Sequence, residues 1–351
     1  MNFVNKSDVN ILGGKLEIPI IQGGMGVGIS MGRLAGNVAA CGGMGVISTA
    51  LIGFREDDFY QNHVEADVRA LKKEIRLAKK LSKGRGMIAI NAMTVTTDFR
   101  ECIEAAVEEG IDAIISGAGL PLSLPEITKG KNVLIAPIVS SAKAACLIVK
   151  SWCRNYDRKP DFIVVEGAGA GGHLGFKKDE LLEQSNMPLE EIVREVVESC
   201  RGIPVFAAGG IFDANDIKKA ISWGAKGVQI GTRFIATDEC DASRGFKQVI
   251  LNAKKDDVNI IQSPVGLPGR AVNTELLRQI KTDGRKPPSR CINCISTCDP
   301  KVTPYCISRA LIAAFYGDEK NGLFFSGENC EKITKIVRVK DLMEELSKGF
   351  E

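Results

Sequence analysis

Eight apolar runs separated by helix-like stretches constrain the fold of this 351-residue chain more than any other feature of the sequence. They lie at 18–25, 43–49, 86–93, 113–119, 133–140, 162–169, 204–211 and 227–236. Because the runs are continuously apolar, they predict strands that are buried on both faces. Eight such strands with helices between them predict an α/β fold, a parallel TIM (β/α)8 barrel over residues 1–236.

A doubly wound open sheet is the structural alternative to the barrel. One version of that fold binds a dinucleotide at a glycine-rich first turn, and GGMGVG at 23–28 has the glycines. That fingerprint also requires an acidic residue at the end of a second strand about 20 residues later, and this chain has none there. The sequence therefore favours the barrel.

The repeating pattern stops after Ala236. Residues 237–284 look polar and helical, 285–308 hold a group of cysteines, and 309–351 predict one or two closing helices. No Ser/Gly-rich linker precedes this part of the chain. We therefore predict that 237–351 form a mostly helical cap packed on the barrel and not a separately folding domain.

The composition is that of an ordinary soluble protein, with 44% apolar and 25% charged residues. A formal charge of +3 without a long basic run predicts neither a nucleic acid nor an acidic membrane as partner. The N-terminus lacks the pattern of a secretory signal, and no apolar stretch approaches the roughly 18 to 20 residues that span a bilayer. We expect a cytoplasmic protein with a small-molecule substrate; the oligomeric state, a homodimer included, is left open.

Glycines gather where the predicted strands end. They are Gly23, Gly24 and Gly26 after the first strand, Gly117 and Gly119 after the fourth, the run 167–172 after the sixth, Gly209 and Gly210 after the seventh, and Gly231 after the eighth. In a parallel barrel the C-terminal strand ends form the active face, and glycine lets a ligand approach the backbone closely. The pattern predicts a ligand site at this end.

The last two strand ends suggest which ligand the site binds. AAGGIFDAND leads directly into a helix whose first N–H groups would be free, and QIGTRF adds Thr232 and further amides, so the two together could hold a phosphate. The glycine-lined remainder suits a flat ring, with the amide of Asn91 or Gln22 at its edge. A barrel that binds a sugar phosphate or nucleotide without redox chemistry is the alternative from another functional class.

His173 stands inside EGAGAGGHLGF at 166–176 and is one of only two histidines in the chain. An imidazole changes its charge near neutral pH, which other unperturbed side chains do not. Placed over a bound ring by the glycines after the sixth strand, His173 could act as a general base or acid. The alternative is a surface histidine without a role.

Several segments of the chain resemble those of the nitronate monooxygenase (2-nitropropane dioxygenase) family, which also contains flavin-dependent enoyl-acyl-carrier-protein reductases. The matching segments, which lie within residues 15–275, are IPIIQGGMGVG, INAM, ISGAGLP, APIVSSAKAA, EGAGAGGHLG, IPVFAAGGI, GVQIGTRF and SPVGLPGRA. The resemblance implies a barrel flavoprotein with non-covalent FMN, and it makes His173 the catalytic histidine.

The resemblance also assigns residues to the parts of the cofactor. It implies that Gly23, Gly24, Met25 and Asn91 contact the flavin ring, that Glu166 and Gly171 lie along its edge, and that Gly210, Gln229, Ile230, Gly231 and Thr232 hold the phosphate. In the monooxygenase branch FMN oxidises an alkyl nitronate and O₂ takes the electrons. In the reductase branch NAD(P)H reduces FMN, which passes hydride to an enoyl thioester. Both branches remain open.

Four cysteines share one loop, RCINCISTCDPKVTPYC, which ends at residue 306. They are Cys291, Cys294, Cys298 and Cys306. Four thiolates so close in sequence suit a tetrahedral site for zinc or an iron–sulfur cluster. The spacing is similar to the cluster loop of iron–sulfur relatives of old yellow enzyme, which favours a [4Fe–4S] cluster; zinc and a loop without metal are the alternatives.

Overall fold

The computed structural model describes residues 11–351 and contains a closed barrel of eight parallel strands. In chain order the strands are β1 (Ile20–Gln22), β2 (Met44–Ser48), β3 (Met87–Met93), β4 (Ala113–Gly117), β5 (Leu134–Val139), β6 (Ile163–Glu166), β7 (Gly172–His173), β8 (Val205–Ala208), β9 (Gly227–Ile230), β10 (Val258–Gln262) and β11 (Pro268–Val272). The barrel order is β1-β2-β3-β4-β5-β6-β8-β9, with β9 paired to β1. The predicted TIM barrel is confirmed.

Helices surround the barrel and continue into the C-terminal part of the chain. They are α1 (Gly32–Ala40), α2 (His63–Ser82), α3 (Phe99–Glu108), α4 (Leu124–Ile127), α5 (Ala142–Tyr156), α6 (Lys178–Leu182), α7 (Leu189–Ser199), α8 (Ala214–Ser222), α9 (Thr232–Ile235), α10 (Arg244–Asn252), α11 (Glu275–Asp283), α12 (Ile307–Phe315) and α13 (Val339–Ser347). No helix within 11–351 is both long and apolar enough to cross a membrane.

The strands are apolar on both faces because each face meets a different core. Val46 of β2 points into the barrel, where it packs in one cluster with Phe162 and Phe206. The rings of Phe162 and Phe206 pack edge to face with centroids 5.4 Å apart. The neighbouring Ile47 belongs instead to the layer between the barrel and its helices. Side chains thus fill the barrel interior, and a ligand has to bind at its mouth.

The cap differs from the sequence-based expectation in one segment. Residues 237–284 include the antiparallel hairpin β10–β11, paired from Val258↔Val272 to Gln262↔Pro268, where the sequence suggested helix throughout. Helices α10 and α11 flank this hairpin. The residues of β10 are half-buried or exposed, and Gly266 in the connection has φ of +89°. Two adjacent strands joined through a glycine-containing turn are the pattern of a hairpin.

The hairpin connects the cap to the barrel. Strand β11 pairs with β7, with Gly269 opposite His173 and Arg270 opposite Gly172. The loop after barrel strand β6 therefore becomes the third strand of a small sheet that the cap supplies. The division of the chain at residue 236 into barrel and cap stays a prediction.

Candidate active site

A cavity of about 240 Å³ lies at the C-terminal ends of the barrel strands. All twelve residues proposed for the flavin and for catalysis line it: Gly23, Gly24, Met25, Asn91, Glu166, Gly171, His173, Gly210, Gln229, Ile230, Gly231 and Thr232. They come from the ends of β1, β3, β6, β8 and β9 and from β7. The structure thus brings the whole predicted set to one place, at the mouth where a parallel barrel binds its ligands.

Two of the glycines show why this wall has no side chains. Gly210 has φ of +82°, a left-handed conformation that other residues adopt with strain. Gly231 has an ordinary φ of −107°, and a Cβ there would meet only Met25, at 3.6 Å from its Sδ. A side chain at position 231 would therefore fit sterically. Because glycine has none, the space beside it is part of the cavity.

The imidazole of His173 is held by residues of the cap. Its Nε2 lies 2.8 Å from Oγ of Ser263, which is 3% exposed and follows β10. The ring of Phe325 packs edge to face against it, with centroids 5.0 Å apart. Burial lowers the pKa of His173 to about 4. The imidazole is therefore neutral near pH 7, and its lone pair is able to accept a proton.

Glu166 ends β6 and places a carboxyl group in the same cavity. Its neighbour in the sheet is Ala208 of β8, which offers no charge to pair with it. Burial raises the pKa of Glu166 to about 8. The carboxyl group is therefore mainly protonated at neutral pH and can donate a hydrogen bond to a ligand.

The two amide side chains considered for the ring edge have different surroundings. Asn91 of β3 lines the cavity. The Oε1 atom of Gln22 accepts a hydrogen bond of 3.1 Å from the Val46 N–H. This oxygen is therefore already paired within the protein. A third amide, Gln229, lines the cavity and has a buried Oε1 without a hydrogen-bond partner in the described part of the chain.

The phosphate donors expected from helix α8 are not free, so this detail of the sequence analysis is wrong. Oδ1 of Asp213, the N-cap residue, accepts hydrogen bonds from the N–H groups of Asn215 at 2.9 Å and Asp216 at 3.1 Å. Capping by aspartate is a local preference of helix starts and occupies the first-turn donors. This end of the cavity is lined by Gly210, Gly231 and Thr232, together with Ile211, Phe212 and Arg233.

A segment near the C-terminus forms a wall that the sequence did not reveal. It comprises residues 325–329 and lies across the ends of β8 and β9. The Gly327 N–H donates to Oγ1 of Thr232 at 2.9 Å, and Nδ2 of Asn329 donates to the Gly210 carbonyl at 2.8 Å. The only sequence signal was a Ser-Gly turn after two phenylalanines, which does not indicate its distant partners.

The cysteine loop lies beside this cavity but does not present a metal site. Cys294 lines a neighbouring small cavity together with His173. Its Sγ lies 2.7 Å from Oγ of Ser308, and burial raises its pKa to about 11. No three His, Cys, Asp or Glu side chains within 11–351 are placed to bind a metal ion. The structure therefore does not support the predicted iron–sulfur or zinc site at Cys291, Cys294, Cys298 and Cys306.

Known proteins resemble this chain over most of its length. The chain is 26% identical over 274 residues to (3aS,4S,5R,7aS)-5-hydroxy-7a-methyl-1-oxo-octahydro-1H-indene-4-carboxyl-CoA dehydrogenase of Mycobacterium tuberculosis, covering 77% of this chain and 67% of that protein. It is 25% identical over 289 residues to a probable nitronate monooxygenase of Staphylococcus saprophyticus, covering 76% of this chain and 78% of the relative.

The structure of FabK from Thermotoga maritima matches with a TM-score of 0.76 at 26% identity, covering 97% of this chain and 95% of FabK. The model of one family, nitronate monooxygenase, matches residues 11–349. The names of the relatives and of the family indicate an oxidoreductase. With the barrel, the glycine-lined mouth and the buried histidine, these similarities show that the chain belongs to the nitronate monooxygenase family.

Proposed function

We propose that this protein is an FMN-dependent oxidoreductase of the nitronate monooxygenase type. It would oxidise alkyl nitronates with O₂ or act as an NAD(P)H-linked flavin oxidoreductase. The observation that supports this function best is the convergence of the twelve predicted residues on one cavity, with His173 among them. The family match over residues 11–349 supports the same chemistry.

The side chains at the cavity fit a flat, phosphorylated cofactor. The unpartnered Oε1 of Gln229 needs a hydrogen-bond donor, which the N–H of a flavin ring would provide. Asn91 and the protonated Glu166 offer further hydrogen bonds at the walls. Backbone and hydroxyl groups of Gly210, Gly231 and Thr232 would surround the phosphate.

The residues of this chain would handle the proton, position the imidazole and cover the cavity. Bound FMN would supply the oxidising centre, which takes electrons from the substrate and passes them to O₂. Neutral His173 can accept the α-proton of a nitroalkane or hold a nitronate by a hydrogen bond. Ser263 and Phe325 limit the rotation of the imidazole. Residues 325–329 cover one side of the cavity.

Reduction of an enoyl thioester is the second candidate, and two similarities favour it. The match to FabK covers 97% of this chain. The Mycobacterium tuberculosis relative is named as the dehydrogenase of a carboxyl-CoA compound, which is a thioester. In this case NAD(P)H would reduce the cofactor. The protonated Glu166 could then donate a proton to the product.

Two steady-state assays on the FMN-loaded protein separate these candidates. Uptake of O₂ driven by propionate 3-nitronate without nicotinamide supports the monooxygenase. Consumption of NAD(P)H that depends on a crotonyl thioester supports the reductase. Absence of both activities in protein that holds FMN would contradict both proposals.

A pair of histidine variants tests the role of His173. His173→Asn should retain FMN and lose turnover by about 10²-fold or more, because it removes a general acid/base. The other histidine is the matched control: His63 begins α2 and lines the neighbouring small cavity but not the 240 Å³ cavity, with its Nε2 3.3 Å from Oγ1 of Thr97. His63→Asn should keep near-normal turnover. Equal losses in the two variants would contradict a catalytic role for His173.

A further inference from the structure

We propose that the carboxylate of Glu328 competes with the cofactor phosphate for one end of the cavity and so sets how tightly the protein binds phosphorylated flavin. This inference rests on the proposed function. It concerns a residue that lies outside the segments carrying the family resemblance and that the sequence analysis did not select.

The position of the Glu328 side chain is the first observation. Its Oε1 lies 2.8 Å from the point that a Cβ on Gly210 would occupy, so the carboxylate fills the space that the glycine leaves. It also lies against Gly169 of the loop after β6. The Glu328 backbone is fixed there, because its N–H donates to the Gly169 carbonyl at 3.1 Å.

The same space adjoins the residues proposed to surround the phosphate. Gly327 and Asn329, the neighbours of Glu328, hydrogen-bond to Thr232 and Gly210 respectively. A dianionic phosphate bound between Gly210 and Thr232 would therefore meet a carboxylate at short range. Like charges at such a separation repel, and the repulsion is moderate where water screens them.

The side chain is able to move aside. Glu328 is exposed to solvent, so its carboxylate has room to rotate toward water. Glu328 already interacts with a cation: the charge of Glu328 acts to raise the pKa of Arg270, although burial lowers that pKa overall. Binding of the FMN phosphate would therefore require the Glu328 carboxylate to rotate out of this space.

Binding of two flavins that differ only in the phosphate tests this inference. The dissociation constants of FMN and riboflavin are measured by quenching of flavin fluorescence for wild type and Glu328→Gln. The substitution keeps the shape of the side chain and removes its charge. We expect FMN to bind about tenfold more tightly to the variant, with riboflavin changed by less than about twofold. Glu319→Gln, at another exposed glutamate, should leave both constants unchanged.

Three results would overturn the inference: unchanged FMN affinity, weaker FMN affinity, or an equal gain for FMN and riboflavin. An equal gain would mean that Glu328 obstructs the cavity by its size and not by its charge. Wild-type protein that binds neither flavin would contradict the proposed function itself. Failure of the function and failure of this inference are thus distinguishable in one set of titrations.

Discussion

Replacement of Glu166 by glutamine should change the pH dependence of stability in the flavin-free protein. Glutamine has nearly the same shape but cannot ionise. In wild type the folded state holds a proton on Glu166 up to a pKa of about 8, whereas the ordinary pKa of the group is 4.5. The stability that this proton contributes is fully present below pH 4.5 and is lost as the pH rises through 8.

The size of the effect follows from the difference between the two pKa values. At about 1.36 kcal/mol for each pH unit, a difference of about 3.5 sets an upper limit near 5 kcal/mol. The carboxyl group faces a cavity that water can enter, and screening there reduces the cost of its charge. We therefore expect wild type to lose about 2–3 kcal/mol relative to Glu166→Gln between pH 5 and pH 9.

Urea unfolding followed by circular dichroism at several pH values measures this difference. His173 also titrates, because its lowered pKa makes folding less favourable as the pH falls from 6.5 towards 4. It is present in both proteins, so its contribution cancels. Glu195→Gln, at an exposed position of α7, serves as the control. A stability difference between wild type and Glu166→Gln that does not change with pH would refute the buried, protonated state.

Variants at two further positions test the support of the histidine and the shape of the cavity. Ser263→Ala removes the 2.8 Å contact to His173 Nε2 and should lower the free energy of unfolding by about 1–3 kcal/mol and kcat by about tenfold. Ser263→Thr keeps a hydroxyl group and should restore part of the kcat. A kcat unaffected by either change would contradict a positioning role for Ser263. Gly231→Val should keep the melting temperature, since its Cβ meets only Met25. It should weaken FMN binding at least tenfold, which a fluorescence titration measures. Unchanged binding would mean that the cofactor lies elsewhere.

The barrel could be predicted from the sequence because its signals are local. Runs such as 18–25 and 204–211 are apolar on both faces, and each marks a buried strand without reference to distant residues. The same holds for the glycines at strand ends, since all C-terminal ends of a parallel barrel meet at one mouth. The cavity residues followed from these two features and from the family resemblance.

The cap contributions could not be predicted in this way. Pairing of Gly269 with His173 joins segments far apart in the sequence, and nothing in either segment indicates the other. Glu328 lies opposite Gly210 for the same reason. The N-cap role of Asp213 could have been predicted, because an aspartate before a helix is a local signal for an N-cap. Such a cap occupies the first N–H groups of α8.

The stoichiometry and identity of the flavin that the purified protein retains test directly whether this cavity binds FMN. Protein equilibrated with FMN and then dialysed is denatured, and the released flavin is identified by mass spectrometry and quantified by absorbance. The glycine-lined mouth with its phosphate end predicts one FMN for each chain. Protein that releases no flavin after this treatment would contradict FMN binding at the barrel mouth.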